Sequence, residues 1–186
     1  GYTKLKAPEV IEAIKSLDDG SIIWEEFYQE FLDKNESKVI IKSEHVDDMK
    51  AMRHQVMSNK DCAEIINNGI AELSLVGELD IEGEKFLIKV RPDLMDKAMA
   101  RQWDYKTTIC AESEQFGKQA YNRLYWMKEA LKHDAIAQFM GRAPEEVVLL
   151  AQEKTAPFLC KPYRLTQDQI EYGREQYISA AKKLKH

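Results

Sequence analysis

The feature that most constrains this chain is a change of hydrophobic period near its middle. Ala71, Leu73 and Leu75 alternate with Glu72, Ser74 and Val76, which predicts a strand. Asp80–Glu84 contains Gly83 and reads as a turn. Phe86, Ile88 and Val90 then alternate with Leu87, Lys89 and Arg91, a second strand that Pro92 ends. Gln102–Thr108 makes a third, shorter strand. The segments on both sides carry helical spacing instead. The order helices, three strands, helix, strand, helix fits an α/β domain with a mixed sheet and helices on its faces.

The first 35 residues read as helical and polar, with Trp24, Phe27, Phe31 and Leu32 as an apolar stripe. Val39–Ile41 is a short apolar stretch of strand character, and Ser43 is placed to cap the next helix. In that helix Val46, Met49, Met52 and Val56 recur at helical spacing, with a break at Ser58–Asn59 and a short helix after it. After the strands, one long helix is expected from Glu112 to His133, burying Phe116, Ala120, Leu124, Met127 and Leu131. Val147–Ala151 is an apolar run of strand length. Thr166 and Gln169 form a capping box that opens a last helix, with Ile170, Gly173, Tyr177, Ala181 and Leu184 inward.

Composition narrows the class. The chain has 186 residues, of which 44% are hydrophobic, enough for one domain with a real core. Cys62, Cys110 and Cys160 lie far apart without a CxxC pair, which argues against structural zinc and rules out a four-thiolate cluster within one chain. Buried free thiols are expected instead. No apolar run reaches the roughly 18 residues of a membrane span, and no leader pattern opens the chain, so a cytoplasmic protein without membrane contact is expected. A net charge of -5 argues against a uniformly basic nucleic-acid surface. It leaves room for acidic metal ligands and a local basic path.

The chemistry lies between Lys89 and Thr108. Asp104 and Lys106 stand two apart on a predicted strand, so both project from one face of the sheet. Asp93 follows Pro92 at the end of the preceding strand. If those strands are neighbours, Asp93 and Asp104 converge with Lys106 beside them. Two carboxylates suit a hard cation such as Mg²⁺, which takes oxygen ligands and keeps several waters. A cation there neutralises charge developing on a phosphodiester, and Lys106 can position the attacking water or stabilise the transition state. Asp104 and Lys106 also read as a simple solvated ion pair, worth about 0–1 kcal/mol.

Arg91-Pro92-Asp93-Leu94 and Asp104-Tyr105-Lys106-Thr107-Thr108 resemble the R-x-D-hydrophobic and D-x-K-T-T elements of the PD-(D/E)xK nuclease superfamily. More specifically, they resemble its RecE-like group, which includes exodeoxyribonuclease VIII and related phage exonucleases. Looser similarity extends over residues 24–184, through Val39-Ile40-Ile41-Lys42-Ser43-Glu44, Glu72-Leu73-Ser74 and Gly173–Tyr177.

The resemblance implies a single nuclease domain over residues 1–186, with a helical part at 1–68 and a catalytic core at 69–186. That core would be a central mixed sheet flanked by helices. It implies Asp93 and Asp104 as metal ligands, Lys106 as the catalytic lysine, and Mg²⁺, with Mn²⁺ as a substitute. Glu72 is a further candidate ligand on the polar face of its strand, and Tyr105 would face the core. Thr107, Arg91 and Gln119 are candidate substrate contacts. The related glutamine precedes a tyrosine by four positions, where this chain has Arg123.

The implied reaction is 5′-to-3′ digestion of one strand of linear double-stranded DNA in phage-type recombination. The implied partners are a single-strand annealing protein and further copies of the chain, in a bacterial or phage-encoded system. An endonuclease of the same superfamily and a silent DNA-binding module are the competing readings. The family's upstream Gly-x-x-x-His element does not precede Trp24, and His54 lies beyond its expected place; a truncated N-terminus would account for this. Lys85, Lys89 and Arg91, and separately Lys182, Lys183 and Lys185, form basic clusters that suit either a phosphate path or a solvated face.

Overall fold

A computed structural model describes residues 12, 15, 16 and 24–184 of the chain, with the backbone alone at Glu25 and Glu44. Expectations for the rest of the first 23 residues, and for Lys185, fall outside the described residues. The chain divides into two compact units, residues 1–43 and 44–186.

In the first unit, α1 (Trp24–Lys34) carries the expected aromatic stripe. Its rings stack on one another, Trp24 on Tyr28 at 5.8 Å and Tyr28 on Phe31 at 6.5 Å. These side chains remain exposed, so the stripe is not a core face. Val39–Ile41 forms no strand, because no partner strand accepts its backbone groups; its side chains are exposed.

The second unit begins with α2 (Glu44–Ser58) and α3 (Lys60–Asn68). The break between them lies where expected, and Asn59 makes it: its side chain accepts from the Asp61 and Cys62 amides. The strands follow as β1 (Ile70–Ala71), β2 (Leu75–Ile81), β3 (Glu84–Val90), β4 (Leu94–Met95) and β5 (Arg101–Thr108). Next come α4 (Ser113–Asn122), α5 (Tyr125–Met140), β6 (Glu146–Glu153), β7 (Cys160–Arg164) and α6 (Gln167–Lys183).

Five strands form a mixed sheet in the order β1-β4-β5-β6-β7, while β2 and β3 make a separate two-stranded ribbon. Only β5 and β6 are parallel, joined by the α4–α5 crossover. One face packs on α2 and α3 through Trp103, Val148 and Leu150 against Val56, Cys62 and Ile65. The opposite face packs on α4 and α5 through Leu149 and Ala151 against Phe116, Ala120 and Tyr125. The ribbon, α5 and α6 share a further core that includes Leu79, Val90, Ile136 and Tyr177. This is the α/β architecture expected from the change of period, a mixed sheet between helices.

Three expectations are corrected. Residues 71–76 are not one strand: Glu72 takes a left-handed backbone at φ 54° between β1 and β2, which breaks the alternation. The helix expected over 112–133 is two helices, because Leu124 is also left-handed, with φ 55° and ψ 39°. The burial stripe therefore restarts at Tyr125, and Leu124 itself is exposed. At the C-terminus Leu184 is 81% exposed, beyond the last inward residue Ala181. The Thr166–Gln169 capping box is present in full. The strand β7 was not anticipated; it lies at the sheet edge, where Pro162 is tolerated.

The three cysteines are free, and Cys62 is buried while Cys110 and Cys160 are half-buried. The hydrogen bond between the two thiols lowers the pKa of Cys62 and raises that of Cys160.

Candidate active site

Alternation along β5 sorts its side chains. Gln102, Asp104, Lys106 and Thr108 face α4 and α5, while Trp103 and Tyr105 face α2 and α3. Asp104 is 1% exposed, at the centre of the sheet beside Leu149 of β6. Asp93 reaches it through β4 rather than β3. The β4–β5 register pairs Leu94 with Trp103, so Asp93 falls opposite Asp104. One Asp93 oxygen accepts the Tyr105 amide at 2.7 Å, which fixes the carboxylate. The convergence expected of a hairpin thus arises from a two-residue strand, because β3 pairs only with β2.

Asp104 touches two ammonium groups. Lys106 contacts Oδ2, and Lys132 of α5 contacts Oδ1. Oδ2 is buried and accepts no directed hydrogen bond, so its contact with Lys106 is ionic only. Lys132 also reaches Glu129 at 2.9 Å. Glu129 is fully buried, and its other oxygen accepts from Gln102 Nε2 at 2.8 Å. Burial lowers the Lys106 pKa; Glu129 and Asp93 oppose the shift, while Lys132 and Lys128 reinforce it. The Lys106 ammonium lies 5.3 Å from the ring centre of Tyr125, which Lys128 approaches at 5.8 Å.

The other sequence-predicted residues scatter. Gln119 sits at the edge of this face: it accepts from Thr108 Oγ1 at 2.8 Å and donates to the Tyr125 hydroxyl at 3.2 Å. The tyrosine that Gln119 meets thus lies six positions on, after the break at Leu124. Glu72 pairs with Arg91 at 2.7 Å, and its amide donates to the Asp93 carbonyl at 3.0 Å. It flanks Asp93 without standing on a strand face. Thr107 is exposed and belongs by alternation to the face opposite Asp104, apart from the cluster. Tyr105, expected in the core, is 38% exposed; its hydroxyl donates to Gln152 across an apolar groove. Of the basic clusters, Lys85 pairs with Glu78, Arg91 with Glu72 and Lys182 with Glu82.

Sequence reasoning missed Glu129 and Lys132. Their signal was present as an acid and a base three apart on a helix, but the stripe assigned to one long helix turned them outward. With the phase restarted at Tyr125, residues 125, 129, 132 and 136 fall on one inward face.

The donor set fits a hard divalent cation. Asp93 and Asp104 offer carboxylate oxygens from adjacent strands, and Asp104 Oδ2 is buried without a directed hydrogen bond. Among the described residues no three His, Cys, Asp or Glu side chains gather into a metal cage, so the two carboxylates act as a pair. Mg²⁺ is commonly bound by one or two carboxylates together with water and phosphate oxygens.

Comparison with known proteins gives a family and a fold. Residues 6–186 match the family described as "PDDEXK-like domain of unknown function (DUF3799)". No curated protein matches the chain. Among solved structures, a "putative exonuclease" from Eubacterium rectale superposes with a TM-score of 0.58 at 10% identity, covering 98% of this chain and 68% of that one. A second structure, SSO0001, gives a TM-score of 0.39 at 13% identity over 86% of this chain and 87% of that one. The first of these shares the fold. Among the described residues no helix is long and apolar enough to cross a membrane. The family match spans nearly the whole chain, so the chain belongs to this PDDEXK-like family, within the PD-(D/E)xK nuclease superfamily.

Proposed function

We propose that this chain is a divalent-metal-dependent deoxyribonuclease, of RecE-like type, that digests linear double-stranded DNA from its 5′ ends. The observation that carries the reading is the meeting of Asp93, Asp104 and Lys106 at the β4–β5 pair. Asp93 and Asp104 hold Mg²⁺ or Mn²⁺, with Glu72 as a flanking candidate. The cation, when bound, supplies Lewis-acid stabilisation of charge on the scissile phosphate. Lys106 contributes a localised positive charge to the same phosphate and orients the attacking water. Gln119 and Arg91 are proposed to contact the DNA backbone, and Thr107 to do so from the far face.

The sequence elements that resemble the RecE-like group support the polarity, the role in phage-type recombination, and the partnership with a single-strand annealing protein. They also support an oligomer of several copies and a cytoplasmic setting. The expected single nuclease domain over 1–186, with a helical part at 1–68 and a catalytic core at 69–186, remains part of this proposal.

The test is digestion of linear duplex, labelled at each strand end, with Mg²⁺ and with EDTA. The parent chain is expected to shorten 5′ ends only with metal, and Lys106→Ala to lose about 10²–10³ of the rate. Cutting of covalently closed circles would establish an endonuclease in its place. Binding of DNA without digestion in any divalent metal would overturn the enzymatic reading.

A further inference from the structure

Lys132 stands where a simple surface lysine has no reason to be. Its side chain is only 17% exposed, and it bridges two buried carboxylates from different elements, Asp104 of β5 and Glu129 of α5. Lysines are almost never buried unless paired, and this one is paired twice. Gln102 donates to the other Glu129 oxygen, so Lys132 is shared between two acids and not held by Glu129 alone. Lys132 therefore serves Asp104 as much as its own helix. Lys132 donates a hydrogen bond to Asp104 Oδ1, whereas Lys106 meets Oδ2 by charge alone.

Formal charge sets what such a site accepts. Asp93, Asp104 and Glu129 carry three negative charges and Lys106 and Lys132 carry two positive ones, a net of one negative charge. One divalent cation and one phosphodiester make the cluster neutral. A second divalent cation would leave it with two excess positive charges in a poorly hydrated place, where charge repulsion is strong. In sites that do hold two metals about 3.5–4 Å apart, a shared pair of carboxylate oxygens is open to both ions. Here Asp104 Oδ1 and the buried acid of α5, Glu129, are both engaged by Lys132.

We propose that Lys132 is a built-in counter-cation that occupies the place of a second metal, so that the site binds a single divalent cation. The inference rests on the metal-dependent reading above and adds its stoichiometry and the residue that sets it. Lys132 is a positioning residue: it holds Asp104 and Glu129, and its charge excludes a second ion.

The test is Mn²⁺ binding to the full chain, followed by titration calorimetry and by the paramagnetic resonance signal of free Mn²⁺. Sites that disappear in Asp104→Asn are counted. The parent chain is expected to bind one such ion, Lys132→Arg one, and Lys132→Ala two. Adding Glu129→Gln to Lys132→Ala is expected to return the count to one. If the alanine variant does not fold by circular dichroism, Lys132→Met keeps the unbranched stem and removes only the charge. Two ions in the parent, or one ion with unchanged affinity in the neutral variants, would overturn the inference while leaving metal dependence intact. No Asp104-dependent ion in the parent would overturn both, and so separates the two failures.

Discussion

Lys106 is held in a partly dehydrated place near the carboxylates of Glu129 and Asp93, and burial and these charges act on its proton in opposite directions. Burial is the larger one and lowers its pKa below the ordinary lysine value of about 10.4. The unfolded chain then binds this proton more tightly than the folded one. Charged Lys106 thus costs stability at neutral pH, and the cost is relieved as pH climbs from the lowered folded value towards the unfolded one. If Lys106 acts as a cation, nuclease rate is expected to fall on the alkaline side before ordinary lysines titrate. Lys106→Arg, if it retains activity, should move that limb to higher pH. A pH–rate profile of both proteins checks this, and an unmoved limb would assign it to another group.

A second residue-scale prediction concerns Asp134, one turn beyond Glu129 on α5. Burial pushes its carboxyl up, but hydrogen bonds from Arg174, His133 and Tyr177 outweigh burial and hold it well below the usual range. Arg174 grips it with two nitrogens, at 2.6 and 2.8 Å. A depressed carboxylate stabilises the fold above its unfolded pKa of about 3.9, and the gain is lost as pH falls below that towards the folded value. Asp134→Asn is expected to cost about 2–3 kcal/mol at pH 7, less than a fully buried pair because Arg174 is one-third exposed. Urea melts at pH 7 and pH 3 should show the difference between the two proteins shrinking with acid.

At the scale of elements, α5 and α6 approach closely enough that only glycine fits between them. A Cβ on Gly173 would lie 2.3 Å from the Trp126 carbonyl oxygen and 3.0 Å from the Ala130 Cβ. Backbone cannot yield as a side chain can. Gly173→Ala gains about 1 kcal/mol in helix propensity, but overpacking is expected to exceed it, for a net loss near 2 kcal/mol in thermal or urea melts.

Legibility from sequence also divides by element. The capping box at Thr166, the Asn59 break and the β2–β3 hairpin were readable because each depends on neighbours along the chain. Asp104 and Lys106 were readable as a pair because a strand repeats every two residues. The β1–β4 pairing was not readable, since two-residue strands carry no period. Nor were Glu129 and Lys132, whose inward position depends on one left-handed residue, Leu124, that sequence spacing does not announce. The way Asp93 reaches Asp104 depended likewise on a tertiary register, because the strand before Pro92 belongs to a different sheet.

For the whole molecule, the net charge of -5 means that any DNA contact is local. Lys128 is exposed beside Tyr125, near Lys106 and on the helix that carries Lys132. A phosphate leaving the site is expected to meet it. Lys128→Ala is expected to weaken duplex binding without sequence preference and to reduce the slope of log K against log salt by about one. Binding isotherms at several salt concentrations test this. An unchanged slope would place the phosphate path elsewhere. Sedimentation at working concentration tests the proposed oligomer, and a single monomer species would reject it.

The left-handed residue at the α4–α5 junction has a consequence for how such a domain can evolve. Each residue added to an α-helix swings the following side chains by about 100°. The helix α5 is indexed at one end by Leu124 and at the other by the Asp134–Arg174 clasp, with Glu129 and Lys132 between. A single inserted or deleted residue between 125 and 128 would leave the clasp docked and turn the junction out of register with Gln119 and Tyr125. A residue deleted between Glu129 and Lys132 would set them two apart, on opposite sides of the helix. Relatives that keep a working centre are therefore expected to vary at the outward positions of this stretch while sharing its length without gaps.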